Sequence, residues 1–198
     1  MFRGKNTFVT IPNTFICKRI FMYETLKECL KAEVQKGTRP FSWPRTIRRA
    51  IKCSDRRFYF WLRVWGYLFK TNKFGLKGFA KRRIRKLNRK YSIDINPAAT
   101  IGPGFKIVHF TGIVIRGNTI MGKNTVLRQN VTIGARNDID EGYTIIGDNV
   151  EFGASSCIIG DIKIGDNVTV GAMSLINKDV PDNHTVYNSK DMILVQRA

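Results

Sequence analysis

Carboxylates are scarce in this chain. Of 198 residues only 15 are Asp or Glu against 34 Lys or Arg, a formal net charge of +19. That excludes the near-balanced surface of most soluble enzymes and implies an anionic partner. Histidine is scarcer still, with two. The four cysteines, at positions 17, 29, 53 and 157, share no C-x-x-C spacing and are too few for a disulfide framework, so a reducing compartment and no metal site are expected. No stretch reaches the roughly 18 apolar residues of a membrane span. MFRGKNTFVTIPNTF lacks the unbroken apolar core of a secretory signal. A cytoplasmic protein is expected. Met22 is an alternative start, with residues 1–21 as an extension.

The positive charge belongs to one half. Residues 1–90 hold 25 Lys or Arg against 4 Asp or Glu, and residues 91–198 hold 9 against 11. In YETLKECLKAEVQKG (23–37), Leu26, Cys29, Leu30 and Val34 recur at helical spacing before Gly37, which predicts a short amphipathic helix. Pro40 and Pro44 break the chain, and Arg45–Lys52 and Phe58–Phe69 read as further helices. FYFWLRVWGYLF is too short to span a membrane and carries Arg63 at its middle, so it packs in a core or lies on a membrane surface. KRRIRKLNRK (81–90) places charge all round a helix, as a solvated face does. No nucleic-acid motif accompanies it, and no nucleic-acid partner is expected.

From residue 93 aliphatics, Gly, Asn and Asp replace the aromatics and Arg, and the text repeats with period six. Ile146, Phe152, Ile158, Ile164, Val170 and Ile176 form one unbroken apolar register; Ile95, Ile101, Ile107 and Ile113 hold a second, and Ile115, Met121, Leu127 and Ile133 a third, shifted by two. Each hexad reads as a very short strand plus a corner, its aliphatic inward and its Gly or Asn suited to positive φ, which is the signature of a parallel β-helix. Residues 135–145, ARNDIDEGYTI, break the register and read as a projecting loop. Three regions follow: 1–90 basic, aromatic and mainly helical; 91–185 β-helix; 186–198 a C-terminal tail.

On these residues the chain resembles the left-handed β-helix acyltransferases, and among them the serine acetyltransferases and their relatives that O-acetylate bacterial surface polysaccharides. The most specific stretch is DINPAATIGPGFKIVHFTGIVI, residues 94–115, with Asp and His placed as in the family's catalytic segment. The resemblance implies a left-handed crossover, a homotrimer, and acetyl-CoA lying between neighbouring prisms. It also implies cofactor contacts at Gly134 and Ala135, at Ala154, at Ala172, and from the ammonium of Lys178 to a coenzyme phosphate. A zinc hydrase on the same prism needs three histidines, and this chain has two.

The chemistry agrees with His109. Acetyl transfer from a thioester to an alcohol needs a base for the hydroxyl proton, and an imidazole has a suitable pKa. Asp94 lies fifteen residues earlier, less than one coil away, so neighbouring rungs about 4.8 Å apart bring its carboxylate within reach of the ring nitrogen remote from substrate. The acceptor is read from departures. In serine acetyltransferases an aspartate precedes the catalytic His and an Arg-His pair follows the loop; here Val108 precedes His109, and the loop ends Glu141, Gly142, Tyr143, Thr144. A buried ammonium without a carboxylate partner costs several kcal/mol. No long N-terminal helical domain of the serine acetyltransferase kind is recognisable. An O-acetyltransferase using acetyl-CoA on a sugar hydroxyl of a capsule, O-antigen or exopolysaccharide is therefore expected, with serine O-acetylation as the alternative. The basic half carries the further expectation of a peripheral contact with the inner membrane and a lipid-linked or polymeric acceptor.

Overall fold

The computed structural model describes residues 25–137 and 142–188. The hexads fold into fourteen strands of two or three residues, which stack as three parallel sheets around a left-handed β-helix. Sheet 1 stacks β1 (Asp94–Ile95), β4 (Val114–Ile115), β7 (Thr132–Gly134), β10 (Cys157–Ile159) and β13 (Leu175–Ile176). Sheet 2 holds β2 (Thr100–Ile101), β5 (Thr119–Met121), β8 (Thr144–Ile146) and β11 (Lys163–Ile164). Sheet 3 holds β3 (Lys106–Ile107), β6 (Val126–Leu127), β9 (Glu151–Phe152), β12 (Thr169–Val170) and β14 (Thr185–Val186). The last strand crosses the boundary expected at residue 185; residues 189–198 lie outside the described residues.

Within each sheet the aliphatics align in register, Ile95 with Ile115, Ile115 with Ile133, Ile133 with Ile158 and Ile158 with Ile176, and all are buried. A second inward position follows four residues later, filled by Ala99, Phe105, Val131, Val150, Ile162, Val168 and Val180 and by the buried hydroxyl residues Thr125, Ser156 and Ser174. The six-residue spacing alone does not reveal it. At the corner between sheets 2 and 3, Asn124, Asn149, Asn167 and Asn183 adopt φ of 56 to 61° and hand an amide hydrogen bond from each coil to the next, at 3.0, 3.0 and 2.9 Å. Gly122 lies against the carbonyl of Gly147 there, where a Cβ would come within 2.6 Å of that oxygen.

The shift of register by two has a physical origin. Eight residues separate Ile107 from its successor Ile115, and the two extra residues swell the corner between β3 and β4, while Ile113 takes the second inward position. The larger break lies between Ile133 and Ile146. Its base is held by Arg116, whose Nη2 donates to the Gly142 carbonyl at 2.8 Å and whose Nη1 lies 3.5 Å from Asp161. Residues 138–141 of the expected loop lie outside the described residues.

A stack of parallel coils ends in unpaired backbone groups, and the N-terminal helices cover them. Residues 25–30 are α-helical and continue into a π-helical turn, Lys31–Gln35, with Leu26, Cys29, Leu30 and Val34 buried as expected. Then come α1 (Trp43–Lys52), with Pro44 in its first turn, α2 (Ser54–Thr71) and α3 (Lys77–Lys90). Arg63 on α2 pairs with Glu33 at 2.5 Å and donates to the carbonyls of Ile101 and Gly102 at 2.6 and 2.7 Å. Glu33 accepts the amide of Phe105, the Tyr59 hydroxyl that of Ile107, and Asn88 donates to the Ile95 carbonyl. Burial pushes the Glu33 carboxyl above its ordinary value, and the Arg63 guanidinium pulls the other way. The charged run 81–90 is not solvated all round: Ala80, Ile84 and Asn88 form a buried stripe on α3. The aromatic run, by contrast, packs Phe58, Tyr59 and Leu62 into the core. Among the described residues no helix is long and apolar enough to cross a membrane.

Candidate active site

The swollen corner between β3 and β4 presents His109. Its flanks are fixed: the Val108 amide donates to the Leu127 carbonyl at 2.8 Å, and the Gly112 amide to the Ser92 carbonyl at 2.8 Å. Gly112 has φ 65°, and a side chain there would strike Asn130. Phe110 turns into the helices, with ring centroids 4.9 Å from Phe58 and 5.4 Å from Tyr91. His109 itself, at φ 66°, is turned outward and exposed. Left-handed backbone is uncommon for residues other than Gly and Asn and marks sites held by their surroundings.

Asp94 opens β1 on the adjoining coil and is exposed on the outer face of sheet 1. Its amide donates to the Ile113 carbonyl at 2.7 Å, so the strand that carries it runs beside the His109 corner. The carboxylate meets the Asn88 amide of α3, at 3.4 Å. No hydrogen bond or ion pair joins it to His109 among the described residues. The structure thus brings the two onto neighbouring backbone without joining their side chains. Asn88, 5% exposed, was not foreseen from the sequence; it sits within KRRIRKLNRK, where the surrounding charge hides it.

The expected cofactor residues separate into two groups. Ala154 and Ala172 line the corner between sheets 3 and 1, the one His109 occupies, on a column in which Asn130 donates to Thr111, Ser155 to Gln129 and Met173 to Ala154, at 2.8 to 2.9 Å. Ala154 is half-buried and Ala172 exposed. Gly134 ends β7, and Ala135 and the exposed Lys178 lie beyond it at the opposite edge of sheet 1. The corner does not demand glycine at 134: a Cβ would meet only the Ile159 Cδ1 methyl, at 3.3 Å, and a Thr132 methyl beyond it. Arg136, in the loop with no motif to mark it, reaches the Asn177 carbonyl at 3.0 Å and adds a second cation next to Lys178. Among the described residues no group of three metal-ligating side chains occurs.

Residues 143–178 match the family model "Bacterial transferase hexapeptide (six repeats)". The chain is 40% identical over 110 residues to serine acetyltransferase 1, chloroplastic, of Arabidopsis thaliana, covering 55% of this chain and 35% of that protein. It is 42% identical over 105 residues to the putative colanic acid biosynthesis acetyltransferase WcaB of Escherichia coli K12, covering 53% and 65%. The chain therefore spans less than two thirds of the length of these relatives. Among solved structures, serine acetyltransferase 1 of Entamoeba histolytica in complex with L-cysteine aligns with TM-score 0.65 and 27% identity over 88% of this chain and 66% of that one. Soybean serine acetyltransferase aligns with TM-score 0.67 and 26% identity over 86% and 69%. These shares exceed the β-helix, so the likeness reaches into the N-terminal helices, where the sequence shows no long helical domain of the serine acetyltransferase kind. By its repeat, its coiled topology and these relatives, the chain is similar to the hexapeptide-repeat transferases and folds as a left-handed parallel β-helix.

Proposed function

We propose that this protein is an acetyl-CoA-dependent O-acetyltransferase in which His109 is the general base and the acceptor is a sugar hydroxyl of a bacterial surface polysaccharide. The observation that carries the catalytic part is the two-residue swelling that turns an exposed imidazole out of the repeat, beside the strand bearing Asp94. His109 takes the proton as the acceptor oxygen attacks the thioester carbonyl, and returns it to the departing sulfur. Asp94 orients the ring and stabilises the imidazolium once substrate draws the two together. Ala154 and Ala172 leave room for the coenzyme on the His109 corner, and Lys178 with Arg136 faces its phosphates at the other edge of the sheet. A homotrimer makes one site of the two groups, the His109 corner of one prism facing the cationic edge of its neighbour.

Val108 supports the sugar: it sets an apolar side chain beside the base, where an amino-acid acceptor's ammonium would want a carboxylate. The reach of the serine acetyltransferase likeness into the helices favours the second reading, serine as acceptor. Coenzyme A release from acetyl-CoA, with L-serine and with surface oligosaccharides at matched concentration, separates them. Turnover with the saccharide and at least a hundredfold less with serine is expected. Efficient serine turnover, unchanged in Val108→Asp, would transfer the assignment to the second reading.

A further inference from the structure

Beside its buried face, α2 carries a stripe of aromatics four residues apart, Trp61, Trp65 and Phe69. Trp61 and Trp65 stack at 5.1 Å with planes 11° apart, and Trp65 meets Phe79 of α3 edge-on at 5.6 Å. The stripe runs to the turn Lys73–Gly75 that joins the two helices. There Phe74 stands 82% exposed, in left-handed backbone at φ 58°. A bulky ring in that region is an outlier, and here it points into solvent. Phe79 is a further 44% exposed.

Cations surround these rings. The Lys73 ammonium lies 5.2 Å from the Phe74 centroid, Lys77 lies 5.3 Å from Phe69, and the Arg83 guanidinium covers Trp65 and Phe79 at 5.4 and 6.0 Å. The fourteen residues of α3 hold eight Lys or Arg and no acid. None of the eight meets a carboxylate within 4.0 Å among the described residues. Only Ala80, Ile84 and Asn88 of this helix are buried against the rest of the protein.

We propose that the hairpin of α2 and α3 docks on an anionic lipid bilayer, with Phe74 and Phe79 entering the interface and the cations of α3 at the level of the phosphates. Charge complementarity calls for an anionic partner, and the apolar tip selects among anions. A soluble polyanion gains from the cations but nothing from a phenyl ring displayed on a strained turn, whereas a bilayer takes up both the ring and the tryptophans in its interfacial zone.

The test is co-sedimentation of the full chain with vesicles of phosphatidylcholine alone and of phosphatidylcholine mixed with phosphatidylglycerol, at low and high salt, with dextran sulfate as a separate ligand. Binding to the anionic vesicles, weakened by salt and at least about tenfold above the neutral ones, is expected. Phe74→Gly suits the left-handed turn, so it removes the ring without disturbing the fold; its binding should fall about tenfold. Reversal of Arg82 and Lys86 to Glu should abolish binding. Equal binding to both vesicles, or Phe74→Gly binding as the unaltered chain does, overturns the proposal, and capture by dextran sulfate without vesicle binding replaces the bilayer with a soluble polyanion.

Discussion

His109 stands on a corner widened by an insertion of two residues. Regular coils also expose a left-handed residue at this corner, Ser155 and Met173, but the two extra residues between Ile107 and Ile115 widen the corner so that Phe110 anchors the chain while His109 turns out. Phe74 presents the opposite case, a residue at a comparable φ whose ring stands 82% exposed. Phe74→Gly should therefore raise unfolding stability by about 1 kcal/mol in urea titration, since a left-handed L-residue costs about 1–2 kcal/mol. Cys29 gives a third residue-level outcome. Burial pushes its thiol up to about 11, so at pH 8 it stays protonated, and iodoacetamide should label Cys53 and Cys157 in the native protein but Cys29 only after unfolding. Of the candidate site, His109 stands out in the sequence because only two histidines exist; Asn88 beneath Asp94 does not, because a single amide in a run of cations has no pattern.

Among the elements, the strands are defined by the hexad and the helices by what the strands leave open. The aliphatic register from Ile146 to Ile176 could be read directly, since each coil of the prism repeats three times six residues. The cap could not. Glu33 and Arg63 are thirty residues apart, on separate helices, and their joint task is to satisfy Phe105, Ile101 and Gly102 at the open end of a sheet stack that one-dimensional spacing does not show. Replacing Arg63 by Met should cost about 3–5 kcal/mol by urea unfolding, because Glu33 would be left charged and buried and two carbonyls unpaired. An exposed cation on the same fold, Lys81, changed to Met, should shift stability by less than about 0.5 kcal/mol. The charge on α3 misled for a related reason: eight cations mask the period of Ala80, Ile84, Leu87 and Asn88.

For the whole molecule, the proposed coenzyme site draws Ala154 and Ala172 from one side of sheet 1 and Lys178 and Arg136 from the other, so it needs more than one prism. Sedimentation equilibrium should accordingly return three times the 22.7 kDa of the chain, and a monomer would leave the two groups without a common ligand. The central claim is that this prism is an enzyme whose base is His109. Its most direct test is acetyl-CoA turnover by His109→Ala beside the unaltered protein, measured as thiol release with a saccharide acceptor and with circular dichroism and oligomeric state checked on the same samples. An intact fold and a rate lower by about two to four powers of ten are expected, and equal rates in the two proteins would remove His109 from the reaction.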